Sequence, residues 1–124
     1  MDELVLIVDD NEKNLKLARD VLQFAGFQTL EASTGSAGIA LAAEHLPDVI
    51  LMDVRLPDVN GIEALEQLKD GAATASIPVV AVTALAMKGD RERLLSAGFD
   101  GYLEKPISVR AFPEQVRAFC RSDR

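Results

Sequence analysis

The chain has 124 residues, of which 48% are hydrophobic and 27% charged, the size and make-up of one globular domain, so a single unit over residues 1–124 is predicted. A formal charge of −7 lacks the basic footprint of a nucleic-acid binder, the longest apolar runs are too short to span a bilayer, and the start Met1-Asp2-Glu3 is acidic where a secretory signal is basic. With Cys120 as its one cysteine, no internal disulfide is possible, and the composition predicts a cytoplasmic protein whose partners are other proteins, with no nucleic acid and no membrane among them.

Leu4 to Val8 is a continuous aliphatic run and predicts a strand buried on both faces. Asn11 is a good N-cap and Glu12 suits a first turn; Leu15, Ala18, Leu22 and Ala25 then recur at helical spacing until Gly26 supplies a left-handed stop. Residues 27–32 form a weaker, more polar second strand. Ser33 or Thr34 caps a second helix, expected to turn Ala37, Ala40 and Leu41 inward and closed by Pro47. Val49 to Met52 is the third strand, and Ile62, Leu65 and Leu68 are the stripe of the third helix. A small, polar connection from Gly71 to Ser76, expected to be mobile, leads to Pro78 and a fourth strand over Val79 to Val82. A fourth helix from near Asp90 to Ala97 stops at Gly98, and Gly101 to Glu104 is a short fifth strand. The last helix shows Phe112, Val116, Phe119 and Cys120 at i, i+4, i+7 and i+8. Pro113 interrupts it: either the regular helix starts near Phe112 or the first turn after Ser108 is distorted.

Strict alternation of strand and helix means parallel strands joined by right-handed crossovers. The expected fold is therefore a doubly wound α/β domain with a five-stranded parallel sheet and five helices. The weakly apolar second strand belongs at an edge, which gives the order 2-1-3-4-5 and makes strands one and three neighbours. Ligands in such sheets sit beyond the carboxyl ends of the strands. Asp9, Asp10, Asp53, Thr83 and Lys105 each stand where an apolar run ends, so all five are predicted on one rim.

Three carboxylates pressed together repel, and keeping them ionised calls for a cation. Oxygen-only ligands select a hard ion, Mg²⁺ in preference to Ca²⁺, with Mn²⁺ a possible substitute. An ammonium and a hydroxyl would be superfluous around a metal alone, but together with Mg²⁺ they can engage phosphoryl oxygens. A carboxylate can itself be the nucleophile, forming an aspartyl phosphate.

Leu6-Ile7-Val8-Asp9-Asp10-Asn11-Glu12, then Val49 to Pro57 with Gly61, then Val82-Thr83-Ala84, then Lys105-Pro106 strongly resemble the receiver domains of bacterial two-component response regulators, a CheY-like, flavodoxin-like fold. The resemblance covers nearly the whole chain. Residues 82–90 with Lys105-Pro106-Ile107-Ser108 are also similar to stand-alone cell-division regulators of the DivK type, and to receivers attached to hybrid kinases.

The resemblance implies that Asp53 is the phosphoacceptor, Asp10 a direct metal ligand and Asp9 a carboxylate acting through metal-bound water, with the backbone carbonyl of Arg55 as a further ligand. Thr83 and Lys105 would bind the phosphoryl oxygens, Tyr102 would be the aromatic switch residue, and Lys105-Pro106 would be a cis peptide. The implied protein belongs to a phosphorelay: it takes phosphate from a sensor histidine kinase or histidine phosphotransfer protein and alters its hold on a downstream protein target. It would catalyse its own modification and hydrolysis, and would not be an enzyme with a diffusible product. The donor histidine belongs to the partner, which leaves His45 as a surface residue.

Two alternatives share some of this chemistry. A phosphohydrolase of the haloacid dehalogenase type carries its nucleophile on the first strand in an Asp-x-Asp pattern, whereas Asn11 and Glu12 stand here where the second aspartate would be. A flavodoxin-like nucleotide binder needs a hydroxyl- and glycine-rich loop where this chain has Asp9 and Asp10.

Overall fold

The computed structural model describes residues 3–84, 90–105 and 107–120. The expected cis peptide at Lys105-Pro106 and residues 85–89 of the DivK-like stretch 82–90 lie outside them.

The elements follow one another as β1 (Leu4–Val8), α1 (Glu12–Phe24), β2 (Gln28–Ala32), α2 (Gly35–His45), β3 (Val49–Asp53), α3 (Gly61–Asp70), β4 (Val79–Thr83), α4 (Asp90–Ala97), β5 (Gly101–Glu104) and α5 (Phe112–Phe119). All strand pairs are parallel and the sheet order is β2-β1-β3-β4-β5, as expected from the polarity of β2. Only Ala32 of β2 is buried, whereas every residue of β3 and β4 is.

Alternation along the strands divides the core in two. Leu6, Val8, Ile50, Met52, Val79 and Ala81 meet Ala42, Leu65, Leu68 and Leu94 of α2, α3 and α4 on one face. Val5, Ile7, Leu51, Val80, Val82 and Leu103 meet Leu15, Ala18, Leu22, Phe112 and Val116 of α1 and α5 on the other. Fully burying a side chain such as Ile50 or Leu65 contributes about 1.5–3 kcal/mol.

Asn11 caps α1 as expected: its side chain accepts the N–H groups of Lys13 and Asn14 at 2.9 and 3.2 Å. Gly26 (φ 102°) and Gly98 (φ 116°) provide the left-handed stops after α1 and α4. Thr34 caps α2, which ends at Leu46 in the left-handed region (φ 49°), with Pro47 following. The inner face of α2 corrects the sequence expectation. Leu41 packs against the core as expected, but Ala37 and Ala40 are exposed, and Gly35, Gly38 and Ala42 are buried. The reason is proximity: a Cβ on Gly38 would stand 2.7 Å from a methyl of Val8, so the helix lies against β1 with no room for a side chain.

The connection after α3 is wound, with Thr74 buried and its hydroxyl donating to the Leu68 carbonyl at 2.6 Å. Pro113 is accommodated because α5 begins at Phe112, leaving the proline in the first turn where its missing N–H is harmless. Residues 109–111 form turns before it, closed by Phe112 N–H donating to the Ser108 carbonyl at 2.8 Å.

Candidate functional site

The site forms because four strands end on one rim, β1, β3, β4 and β5, with Asp9, Asp53, Thr83 and Lys105 at or just beyond their last residues. Asp9 N–H still donates to the Ala32 carbonyl at 3.0 Å, extending the ladder one residue beyond β1. The Asp9 carboxylate then accepts the N–H of Asn11 at 2.9 Å, bending the chain into α1. Asp53 makes the same turn at the end of β3, accepting the N–H of Arg55 at 3.0 Å. Gly61 lets the following loop close, since its N–H donates to the Val54 carbonyl at 2.7 Å and a Cβ there would lie 2.7 Å from the Val54 Cα.

Lys105 N–H donates to the Thr83 carbonyl at 2.9 Å, carrying the β4–β5 ladder to the rim. The Lys105 Nζ then reaches across the sheet to donate to Asp9 at 2.7 Å and Asp53 at 3.0 Å. Asp9 and Asp53 are 5% and 8% exposed and the Lys105 side chain 16%, so the ion-pair triad is largely desolvated; Thr83 is buried and Asp10 is exposed. Burial, reinforced by the charge of Asp9, pushes the Asp53 carboxyl above its ordinary range against the opposing pull of the Arg55 N–H and Lys105. Burial also acts to lower the Lys105 ammonium, but its hydrogen bonds to Asp9 and Asp53 prevail and hold it above the usual lysine value.

Carboxylate oxygens of Asp9, Asp10 and Asp53 lie within 4.8 Å of one another. Three hard oxygen donors at that spacing fit a divalent cation of the Mg²⁺ class. The expected repulsion among the three acids is partly met already, because Lys105 serves two of them. A cleft of about 170 Å³ lined by Asp53, Arg55, Thr83, Ala84 and Lys105 opens alongside, well above the ~30 Å³ share of one water. A second, mostly apolar cavity of about 70 Å³ also touches Asp53 and Lys105 and is lined by Ile7, Leu17, Leu51, Ile107 and Phe112 among others, so the ion pair separates the two.

Tyr102 lies opposite Ala81 in the β4–β5 register, half-buried against the core face shared with α3 and α4. Thr83, two residues beyond Ala81, has the same strand parity. His45 is exposed at the end of α2. The rim thus gathers every site residue predicted from the sequence that falls within the described residues, Tyr102 lying one layer inward. One nearby acid had no motif signal: Asp58, whose role follows from the first turn of α2, which carries no acidic residue of its own.

Residues 5–117 match the response regulator receiver domain family, and the chain belongs to it. Within that family it is 47% identical over 119 residues to the polar-differentiation response regulator DivK of Brucella ovis and of Brucella abortus, covering 96% of this chain and 97% of theirs. The DivK-type likeness of residues 82–90 and 105–108 therefore extends over almost the whole of both proteins.

Among solved structures, the receiver domain of a sensor histidine kinase from Pseudomonas aeruginosa, described with a magnesium ion coordinated in its active-site cleft, is 29% identical with a TM-score of 0.87, covering 96% of this chain and 98% of that one. The chemotaxis response regulator CheY4 of Vibrio cholerae shares the fold, with a TM-score of 0.89 at 24% identity over 96% of this chain and 99% of that one. Family membership does not favour the phosphohydrolase and nucleotide-binder alternatives. Among the described residues no helix is long and apolar enough to cross a membrane.

Proposed function

We propose that residues 1–124 form one receiver unit of a cytoplasmic phosphorelay, in which Asp53 accepts a phosphoryl group from a phosphohistidine of a sensor histidine kinase or phosphotransfer protein. A carboxylate oxygen of Asp53 attacks phosphorus, the P–N bond breaks, and its electron pair returns to the donor imidazole. Asp9, Asp10, Asp53 and the Arg55 carbonyl would hold Mg²⁺, whose charge offsets that of the transferred group. Lys105, already at hydrogen-bond distance from Asp53, turns its ammonium to the phosphoryl oxygens. Thr83, lining the same cleft, moves toward them and draws Tyr102 after it, altering the surface seen by a downstream protein. The chain catalyses its own modification and slow hydrolysis. The name of the Brucella relatives suggests polar differentiation as the process controlled.

The observation that carries this reading is the convergence of Lys105 on both Asp9 and Asp53 beside an open cleft. Acetyl phosphate with Mg²⁺ should add one phosphoryl group, located on Asp53 by peptide mass spectrometry. Phosphate on another residue of the wild-type chain overturns the assignment.

A further inference from the structure

The loop between β3 and α3 is fastened at a second point, five residues beyond Asp53. The Asp58 carboxylate accepts four hydrogen bonds: from the N–H of Gly35 at 2.8 Å, the N–H of Ser36 at 2.9 Å, the hydroxyl of Ser36 at 2.7 Å and the N–H of Val59 at 2.9 Å. Two of these donors are unsatisfied groups of the first turn of α2, where Thr34 serves only Ala37 and no acidic side chain is present. Asp58 therefore caps α2 from another part of the chain. These hydrogen bonds, those of Ser36 first, hold its carboxyl well below the usual carboxylate range. The fit is close, because a Cβ on Gly35 would collide with the side chain of Val59.

Residue 55 sits between two fastenings. Its N–H is tied to Asp53, and three residues on, Asp58 ties the loop to α2. The helix is itself seated on β1 at the contact of Gly38 with Val8, the residue before Asp9. Both acid-bearing loops are thus referenced to the first two turns of one helix. A site that must hold a cation among Asp9, Asp10, Asp53 and a backbone carbonyl needs their separation fixed to a fraction of an ångström.

We propose that Asp58 is a positioning residue for the cation site, holding the Arg55 backbone at the distance from Asp9 and Asp10 that Mg²⁺ requires. The proposal rests on the functional reading above. The side chain touches neither acid within hydrogen-bond range, so its effect is transmitted through loop geometry.

The test is calorimetric titration of the full-length protein with Mg²⁺ alone, comparing wild type with Asp58→Ala, Asp58→Asn and Ser36→Ala. Supporting partners of metal ligands typically change affinity by about 10–100-fold when removed, and Asp58→Ala should fall near tenfold. Asp58→Asn and the charge-neutral Ser36→Ala should follow with smaller losses. Asp58→Asn carries the test if Asp58→Ala does not fold. The loss should persist in 1 M KCl, where the screening length is about 3 Å, because it comes from placement and not from a distant negative charge. At saturating Mg²⁺ the variants should take phosphate from acetyl phosphate at the wild-type maximal rate. Wild-type Mg²⁺ affinity in the Asp58 variants, or a deficit that vanishes in high salt, overturns the positioning role while leaving the functional reading intact. Failure of the wild type itself to bind Mg²⁺ overturns both.

Discussion

Acids stand at both ends of this sheet, buried at Asp48, Asp9 and Asp53 and exposed at Asp100, and the two ends use them in opposite ways. At the amino end, Asp48 accepts the N–H of Leu4 at 2.7 Å, and Asp100 accepts the N–H of Val79 at 2.8 Å and the ammonium of Lys69 at 3.2 Å. Each extends a ladder to the neighbouring strand. At the carboxyl end, Asp9 and Asp53 spend one oxygen on an N–H two residues ahead in their own loop and turn the other toward the same Lys105. An acid committed to backbone donors of another strand is a stitch. Two acids sharing one ammonium leave lone pairs available to an incoming cation.

The largest test of this division is chemical. Asp53→Asn should abolish phosphate uptake from acetyl phosphate, since an amide is not a competent nucleophile, whereas Asp100→Asn should keep it; intact-protein mass spectrometry reads both. If Asp100→Asn also loses uptake while remaining folded, the two ends are not functionally distinct.

Next comes the cation. Mg²⁺ at a hundredfold excess over its dissociation constant should stabilise the wild type by about 2.7 kcal/mol, visible as a raised melting temperature. Asp48→Ala should cost about 1–3 kcal/mol in urea unfolding, by stranding the Leu4 N–H, yet keep the Mg²⁺ increment whole. A lost increment would mean that the amino end reaches the site.

Coupling within the carboxyl end is expected at about 1–3 kcal/mol, the usual size for allosteric linkage. The chain has one tyrosine and no tryptophan, so its intrinsic emission reports Tyr102 alone. Beryllofluoride with Mg²⁺ should change that emission in the wild type. Thr83→Ala should bind the ion and lose most of the change, and Lys105→Ala should lose more, since it removes a charged contact. A full wild-type response from Thr83→Ala would show that the hydroxyl is not the relay.

The smallest effect separates position from role. Asp58 lies at the carboxyl end but serves backbone donors of another element, so it should behave as a stitch. Its carboxyl is depressed in the folded state, so its contribution is fully present above the ordinary value near ~3.9 and fades as pH falls toward the folded value. Asp58→Asn should flatten the acid limb of the stability curve slightly, measured by urea unfolding between pH 5 and 2. An identical acid limb in the variant counts against the contact.

Much of this was readable from the chain because parallel strands put sequence-distant residues on one rim. Once β2 was recognised as polar and therefore peripheral, the order of the other strands and the meeting of Asp9, Asp53 and Lys105 followed. The inner face of α2 was not readable. Six of its 11 residues are Ala or Gly, which blurs the hydrophobic phase of the helix; the approach to Val8 selects Gly38 over Ala37. Asp58 was hidden for a related reason, since a capping acid is normally sought beside the helix it caps, and this one is 22 residues from Ser36. One feature of the resting arrangement has no mark in the sequence. Acid repulsion pointed to a cation, and the lysine reserved for phosphate already fills part of that need.

The pairing of Lys105 with Asp9 spans 96 residues and that with Asp53 spans 52. A ribosome adding about 5–20 residues per second makes both acids several seconds before it makes their ammonium. During that interval the emerging chain presents an acidic edge with no lysine across it and no fifth strand to hold one. The acid–lysine cluster is therefore closed only once β5 has been made, so this rim is completed late in the synthesis of the domain however early its acids appear.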